Sequence, residues 1–208
     1  QLERSDPCND FGPGFYCTDS ESDAGKWACR RGSGGFINRY RIDTEGMDIL
    51  DLSSEDYGLM FWLSVVCTNR SFRITSPNAA RFIDHMKTYF RVIPDNYDII
   101  IGNRCDESYF TFVRSFLKGE ISYRQLKSLI GPGKAGQQIV LRSEYALSSL
   151  RFDTCMRADA ESNYPKRKIR DYNIRTVWKA QLEIGDEDGL FMNDLLREGV
   201  RPGDARIQ

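Results

Sequence analysis

The chain is expected to fold as an α+β domain, and three observations say so. Its strand-like stretches are short, rich in β-branched or aromatic residues and bounded by turn chemistry. Helical patterns lie between them, but strand and helix do not alternate regularly, which argues against a doubly wound parallel sheet. The length of 208 residues is enough to bury one substantial core, so one compact domain with a tail is predicted.

The elements follow in order. A first strand covers Gly14 to Thr18, and Ser20 then caps a helix through about Arg31, with Ala24, Trp27 and Ala28 on one side. Strands at Phe36 to Ile42 and Ile49 to Leu52 precede a helix from Tyr57 to Asn69, whose apolar residues recur at helical spacing. Ser76-Pro77 starts a further helix toward Phe90, because proline is tolerated in a first turn. A strand at Tyr97 to Gly102 leads into a helix from Asp106 to Leu117. Ser122 caps Tyr123 to Ile130, which Gly131-Pro132-Gly133 stops. Gln138 to Leu141 reads as a strand and Ser143 to Leu150 as a short helix.

After Phe152 the composition changes. Arg157 to Arg170 is polar, contains Pro165 and carries the basic cluster Lys166-Arg167-Lys168, so it reads as a solvated linker or surface arm. Ile174 to Ile184 alternates like a strand or edge hairpin, Gly185 to Gly189 is an acidic turn, and Phe191 to Arg197 can form a short helix. The organisation expected is a domain over 1–152 and a C-terminal extension over 153–208, packed on that domain or trailing from it.

Lys+Arg 29 against Asp+Glu 30 leaves a net charge of −1, which gives no case for nonspecific attraction to nucleic acid or to an anionic membrane. No apolar run approaches the roughly 20 residues that span a bilayer, and no signal-peptide pattern opens the chain, which starts at Gln1. The six cysteines show no C-x-x-C pair and no histidine spacing completes a zinc site, so no metal site is expected. Reduced thiols are favoured over disulfides, with Cys29, Cys67 and Cys155 in amphipathic segments that suit burial.

The richest stretch is Asp10-Phe11-Gly12-Pro13-Gly14-Phe15-Tyr16-Cys17-Thr18. Gly12 and Gly14 let the main chain approach a ligand closely, while Phe15 and Tyr16 offer a stacking face and a phenol. The same glycines equally suit an ordinary turn before a strand. The block resembles an uncharacterised D-F-G-x-G-F-Y family grouped with the ADP-ribosyltransferase superfamily. Ala24-Gly25-Lys26-Trp27-Ala28, Asn38-Arg39-Tyr40, Trp62 to Val66 with Arg70, Tyr97 to Gly102, and Gln138-Ile139-Val140 with Ser143 to Leu147 match that family's later motifs in order. The likeness runs from about Asp10 to Phe152. Two departures stand out. The H-G-S or H-G-T strand that normally precedes the block is missing, the one histidine being His85 in a helix, and Gly102 to Ser108 replaces a G-x-x-A-N-D-D run while keeping Asp106.

The resemblance implies a split, two-sheet core and a reaction in which the nicotinamide–ribose bond of NAD breaks through an oxocarbenium-like transition state. NAD would be substrate, a protein would accept ADP-ribose, and the chain would be a soluble effector or toxin, cytoplasmic or delivered into a target cell. Tyr16 takes the place of the nicotinamide-stacking tyrosine. Phe15, next along the strand, points the other way and enters the core. Trp27 and Tyr40 are further aromatics, with burial against the sheet the stronger expectation. Where the superfamily usually has a glutamate, this chain has Gln137-Gln138, and Gln138 can hold ribose hydroxyls but cannot take a proton. Glu144 can supply a carboxylate if the turn bends back, or favour the dipole of the helix capped by Ser143. Asp106 and Glu107 offer a carboxylate pair at a loop mouth, though Asp106 can equally cap a helix. Asp10 is placed to orient the glycine loop through an Asx-type turn. Among Arg39, Arg41 and Arg70, candidates for the pyrophosphate, Arg70 belongs to a matched motif. The glutamine and the absent histidine strand favour a second reading, a noncatalytic module that binds a nucleotide or a partner protein. An enzyme acting on nucleic acid lacks support from charge.

Overall fold

A computed structural model of the chain describes residues 5–72, 74, 76–130 and 136–207, without the side chains at 107 and 108. The expected stop at Gly131-Pro132-Gly133 and the carboxylate of Glu107 lie outside the described residues. The architecture is mixed α and β, with two small sheets. β1 (Phe15–Cys17), β5 (Gln137–Leu141), β4 (Ile99–Asn103) and β3 (Ile49–Asp51) form a four-stranded sheet in the order β1-β5-β4-β3, antiparallel except for β3 beside β4. β2 (Gly35–Ile42) and β6 (Leu150–Ala158) form a separate antiparallel pair.

Alternation along the strands sorts side chains onto two faces. Leu50, Ile100 and Val140 turn toward the main core, where α2 (Leu59–Asn69), α3 (Pro77–Tyr89), α4 (Glu107–Leu117) and α5 (Tyr123–Ile130) bury their apolar sides. Ile99 and Leu141 turn the other way, onto Ala146 of α6 (Glu144–Ser148). α2 is buried from Met60 to Cys67 except for its partly covered Phe61, because its run of apolar residues leaves no polar face to solvate. Ser20, Ser76 and Ser143 accept backbone N–H bonds at the starts of α1 (Glu21–Ala28), α3 and α6, and Pro77 sits in the first turn of α3.

The C-terminal third departs from the sequence reading. Leu150, expected to end a helix, begins β6, and β6 runs without a break across the expected boundary at 152/153. The strand pairs with β2 from Gly35↔Ala158 to Ile42↔Leu150. The register slips between Arg39 and Tyr40, and the extra residue, Asp153, forms a bulge whose carboxylate meets Arg39 at 3.3 Å and Arg41 at 3.5 Å. Beyond it, the supposed linker and the supposed edge strand are one 25-residue helix, α7 (Ala160–Ile184), capped by Asp159. Pro165 is accommodated inside it, at the cost of one backbone hydrogen bond.

Partly covered positions 160, 163, 164, 167, 170, 171, 174, 178 and 181 recur at helical spacing, and that stripe packs against α1, α4 and α5. Most of the stripe is polar, so a search for apolar periodicity passes over it. Trp178 Nε1 donates to Ser115 Oγ at 3.2 Å, and Gln125 Nε2 donates to Gln181 O at 2.7 Å. α8 (Met192–Glu198) follows, and Gly199 ends it in a left-handed conformation. Cys29 and Cys67 are buried thiols, but Cys155 is exposed on β6. Among the described residues no helix is long and apolar enough to cross a membrane.

Candidate functional site

A cleft of about 780 Å³ opens between edge strand β1, strand β2, helix α1 and the near side of α7. Sheet geometry brings Tyr16 and Gln138 to it together. Tyr16 pairs with Val140, and Gln138 lies two residues from Val140 on the same strand, so both side chains leave the same face of the sheet. Phe15, Arg70 and Asp106 also line the cleft. Phe15 does so from the opposite face of β1, packed edge-to-face on Tyr40 with ring centroids 5.8 Å apart.

Of the two expectations for the glycine loop, the geometry fits the turn before a strand. Neither Gly12 nor Gly14 lines the cleft. A Cβ on Gly14 would sit 2.3 Å from Val140 Cγ1 and 3.0 Å from Leu141 O, so that glycine lets β1 lie close on β5. Gly12 has φ +76° and faces Arg142 and Asn69. The loop is pinned from several sides. The Tyr16 hydroxyl donates to Gly12 O at 2.7 Å and accepts from Phe11 N at 3.0 Å, and Arg142 Nη1 donates to Phe11 O at 2.6 Å. Burial pushes the Tyr16 phenol above its ordinary range, so at neutral pH it is a donor and the cleft is offered only its ring.

Asp10 makes no simple Asx turn. Asp10 is 5 % exposed, and its carboxylate accepts from Arg70 Nη1 at 2.7 Å and from Cys105 N at 2.9 Å. Arg70 also donates to Cys105 O and lies 4.7 Å over the Phe110 ring. Burial raises the Asp10 pKa above its usual value, outweighing the opposing pull of the Cys105 amide and the Arg70 charge. Arg70, chosen for pyrophosphate, is therefore largely engaged in holding α2 to the loop that follows β4.

Glu144 is not brought to the cleft. It stands exposed in the first turn of α6, where Ser143 Oγ accepts from Ala146 N at 3.0 Å, and a carboxylate there favours the helix dipole. Asp106 is at the cleft, ion-paired with Arg170 of α7 at 2.5 Å. Trp27 and Tyr40, expected to be buried against the sheet, are each 38 % exposed and form cleft wall. Arg39 and Arg41 point to Asp153, away from the cleft lining.

Two arginines to which the sequence assigned no place in this cleft, Arg104 and Arg167, are prominent. Arg104 is 3 % exposed, and its Nε and Nη1 have no hydrogen-bond partner. It packs over the Trp27 ring at 5.1 Å, where Arg167 of α7 approaches the same ring at 5.8 Å. Gln138, 8 % exposed, likewise has an unpartnered Oε1. A buried donor and a buried acceptor left open beside one cleft are what a polar ligand satisfies. The signal for Arg104 in the sequence was the replaced loop Gly102 to Ser108. Arg167 belongs to a basic cluster whose composition is that of a solvated one, and the packing of α7 against α1 brings it to the Trp27 ring.

A family model described as a protein of unknown function, DUF3990, matches residues 1–152. No curated protein and no solved structure matches the chain.

Proposed function

The chain belongs to the DUF3990 family, and we propose that its cleft binds NAD and that the protein is a mono-ADP-ribosyltransferase-like enzyme, breaking the nicotinamide–ribose bond and passing ADP-ribose to a protein acceptor, as an effector or toxin would. The observation that carries the reading is the convergence on one cleft of Tyr16 and of Gln138, whose buried Oε1 has no hydrogen-bond partner. A volume of about 780 Å³ suits a ligand of dinucleotide size. In this reading the two small sheets are the split core of an ADP-ribosyltransferase.

The chemistry asks little of the protein beyond positioning. The nicotinamide ring lies on Tyr16, and a ribose hydroxyl donates to Gln138 Oε1. As the bond breaks, its electron pair stays on the nicotinamide nitrogen and positive charge spreads over the ribose. The acceptor's nucleophile adds to that carbon and its proton goes to solvent, since an amide cannot act as base.

A second reading, a nucleotide- or protein-binding module without turnover, is favoured by the carboxylates. Asp10, Asp106 and Asp171 in the cleft wall are each ion-paired with arginine, and Gln138 is uncharged. Incubation with NAD and measurement of free nicotinamide separates the two. The enzyme reading expects release that falls by about a hundredfold or more in both Tyr16→Ala and Gln138→Ala. NAD binding with no nicotinamide release would contradict it and leave the module.

A further inference from the structure

Three guanidinium groups gather around one indole. Arg104, Arg30 and Arg167 lie 5.1, 5.6 and 5.8 Å from the centroid of the Trp27 ring. Each is placed for a cation–π contact, but three like charges around one side chain repel one another. The carboxylates nearby neutralise the group only in part: Asp23, which acts most strongly on Arg104, is itself paired with Lys26 at 2.8 Å. Asp10 is committed to Arg70 and Cys105, Asp106 to Arg170, and Asp171 is shared between Arg170 at 3.1 Å and Arg167 at 3.7 Å. Arg104 is the least compensated member, being buried with two N–H-bearing nitrogens open. Burial correspondingly lowers its pKa, the first cause being desolvation. Such an arrangement favours an added anion. Guanidinium forks match phosphate oxygens, and an arginine stacked on an aromatic ring is held in the orientation that a fork needs.

Neighbouring chemistry narrows the class of anion. Gly102 of β4 pairs with Gln138 of β5, and the ladder continues as Arg104 N donates to Gly136 O at 3.0 Å. Arg104 therefore stands just beyond the strand position opposite Gln138, so a buried cationic donor and a buried neutral acceptor, both without hydrogen-bond partners, are neighbours along the ladder. Gln138 Oε1 repels a phosphate oxygen but accepts from a hydroxyl. A ligand with phosphate and sugar hydroxyls adjoining meets both requirements.

We propose that Arg104, flanked by Arg30 and Arg167 around Trp27, is a diphosphate-binding subsite of the cleft for the diphosphate of a nucleotide, completed by helix α7 from outside residues 1–152. The nucleotide rests on the reading of the cleft given above, whereas the diphosphate rests on the arginines alone. Two probes keep these apart: inorganic pyrophosphate and ADP-ribose, titrated calorimetrically into the full chain at low salt. Pyrophosphate is expected to bind, and its affinity to fall about tenfold or more in Arg104→Gln and in Arg167→Gln. Arg39→Gln, on the far side of β2 from the cleft lining, should bind as the parent does. ADP-ribose should bind more tightly than pyrophosphate and lose affinity in the same two variants.

Arg167 is partly exposed, so its variant reports on binding even if Arg104→Gln is unstable. Pyrophosphate that does not bind the parent, or that binds both cleft variants unchanged, would overturn the subsite. ADP-ribose no tighter than pyrophosphate would overturn the nucleotide assignment. NAD cleavage undiminished in the arginine variants would likewise remove the subsite while leaving the proposed activity intact. Pyrophosphate binding lost as expected, with no nicotinamide release by the parent, would support the subsite and refute the activity.

Discussion

Replacing Asp10 by alanine is expected to cost about 3–5 kcal/mol of folding stability, read as a lower denaturant midpoint with an unchanged slope. The carboxylate is buried and serves two partners, Arg70 and the Cys105 amide, on two different elements. Its removal takes from the Arg70 guanidinium its carboxylate partner, leaving it the Cys105 carbonyl and the Phe110 ring, and leaves the buried Cys105 N–H without its acceptor. Asp10→Asn retains an acceptor and should lose less. The sign of the pH dependence adds a second reading of the same pair. Burial holds the folded Asp10 pKa above its ordinary 3.8. The carboxyl's contribution is thus complete below that value and diminishes as pH rises through the folded one. The gap between the parent and Asp10→Ala should be wider near pH 4 than at pH 7. A pair stabilised chiefly by its charges would show the reverse.

Phe11→Ala should be of similar size, about 3–5 kcal/mol, because the ring is fully buried in the main core between the glycine loop and β4. Its position is fixed by Gly102, where an added Cβ would lie 2.8 Å from the Phe11 ring. Gly102→Ala alone should therefore cost about 1–3 kcal/mol by overpacking. In a Phe11→Leu background, where the end of the ring is gone, the same change should cost at least about 0.5 kcal/mol less. Equal costs in the two backgrounds, measured by chemical unfolding, would show that ring and glycine do not meet.

The aromatic and glycine content of Asp10 to Thr18 was visible in the chain, but its purpose was not. Local sequence gives Gly14 freedom to meet a ligand or a strand, and only the pairing of β1 with β5 shows that Val140 occupies the space. Helix caps were legible because they are local: Ser20, Ser76 and Ser143 each bond an amide three residues on. β6 and α7 were not, for two reasons. In β6, Leu150, Thr154, Met156 and Ala158 alternate as a strand should, yet the bulge at Asp153 and the adjacent charges break the pattern. In α7, arginines, asparagine and aspartate make the packing stripe, so periodicity exists without hydrophobicity.

The cleft shows the same limit. Tyr16 and Gln138 could be paired through motifs on β1 and β5, elements that lie side by side in the sheet. Arg104 and Arg167, 63 residues apart, meet only because α7 folds back across α1. Nothing in the cluster Lys166-Arg167-Lys168 separates the arginine that turns inward from the lysines beside it, since helical phase decides that and the helix itself was hidden.

The central claim is that one cleft, bounded by β1, β2 and the strand ends of β4 and β5, takes NAD. Hydrogen–deuterium exchange with and without saturating NAD tests it directly. Slower exchange is predicted for amides at 15–18, 36–40 and 102–106, with little change in α3 and α8 on the far side of the core. Unchanged exchange across those three segments, or protection confined to α3 and α8, would contradict it.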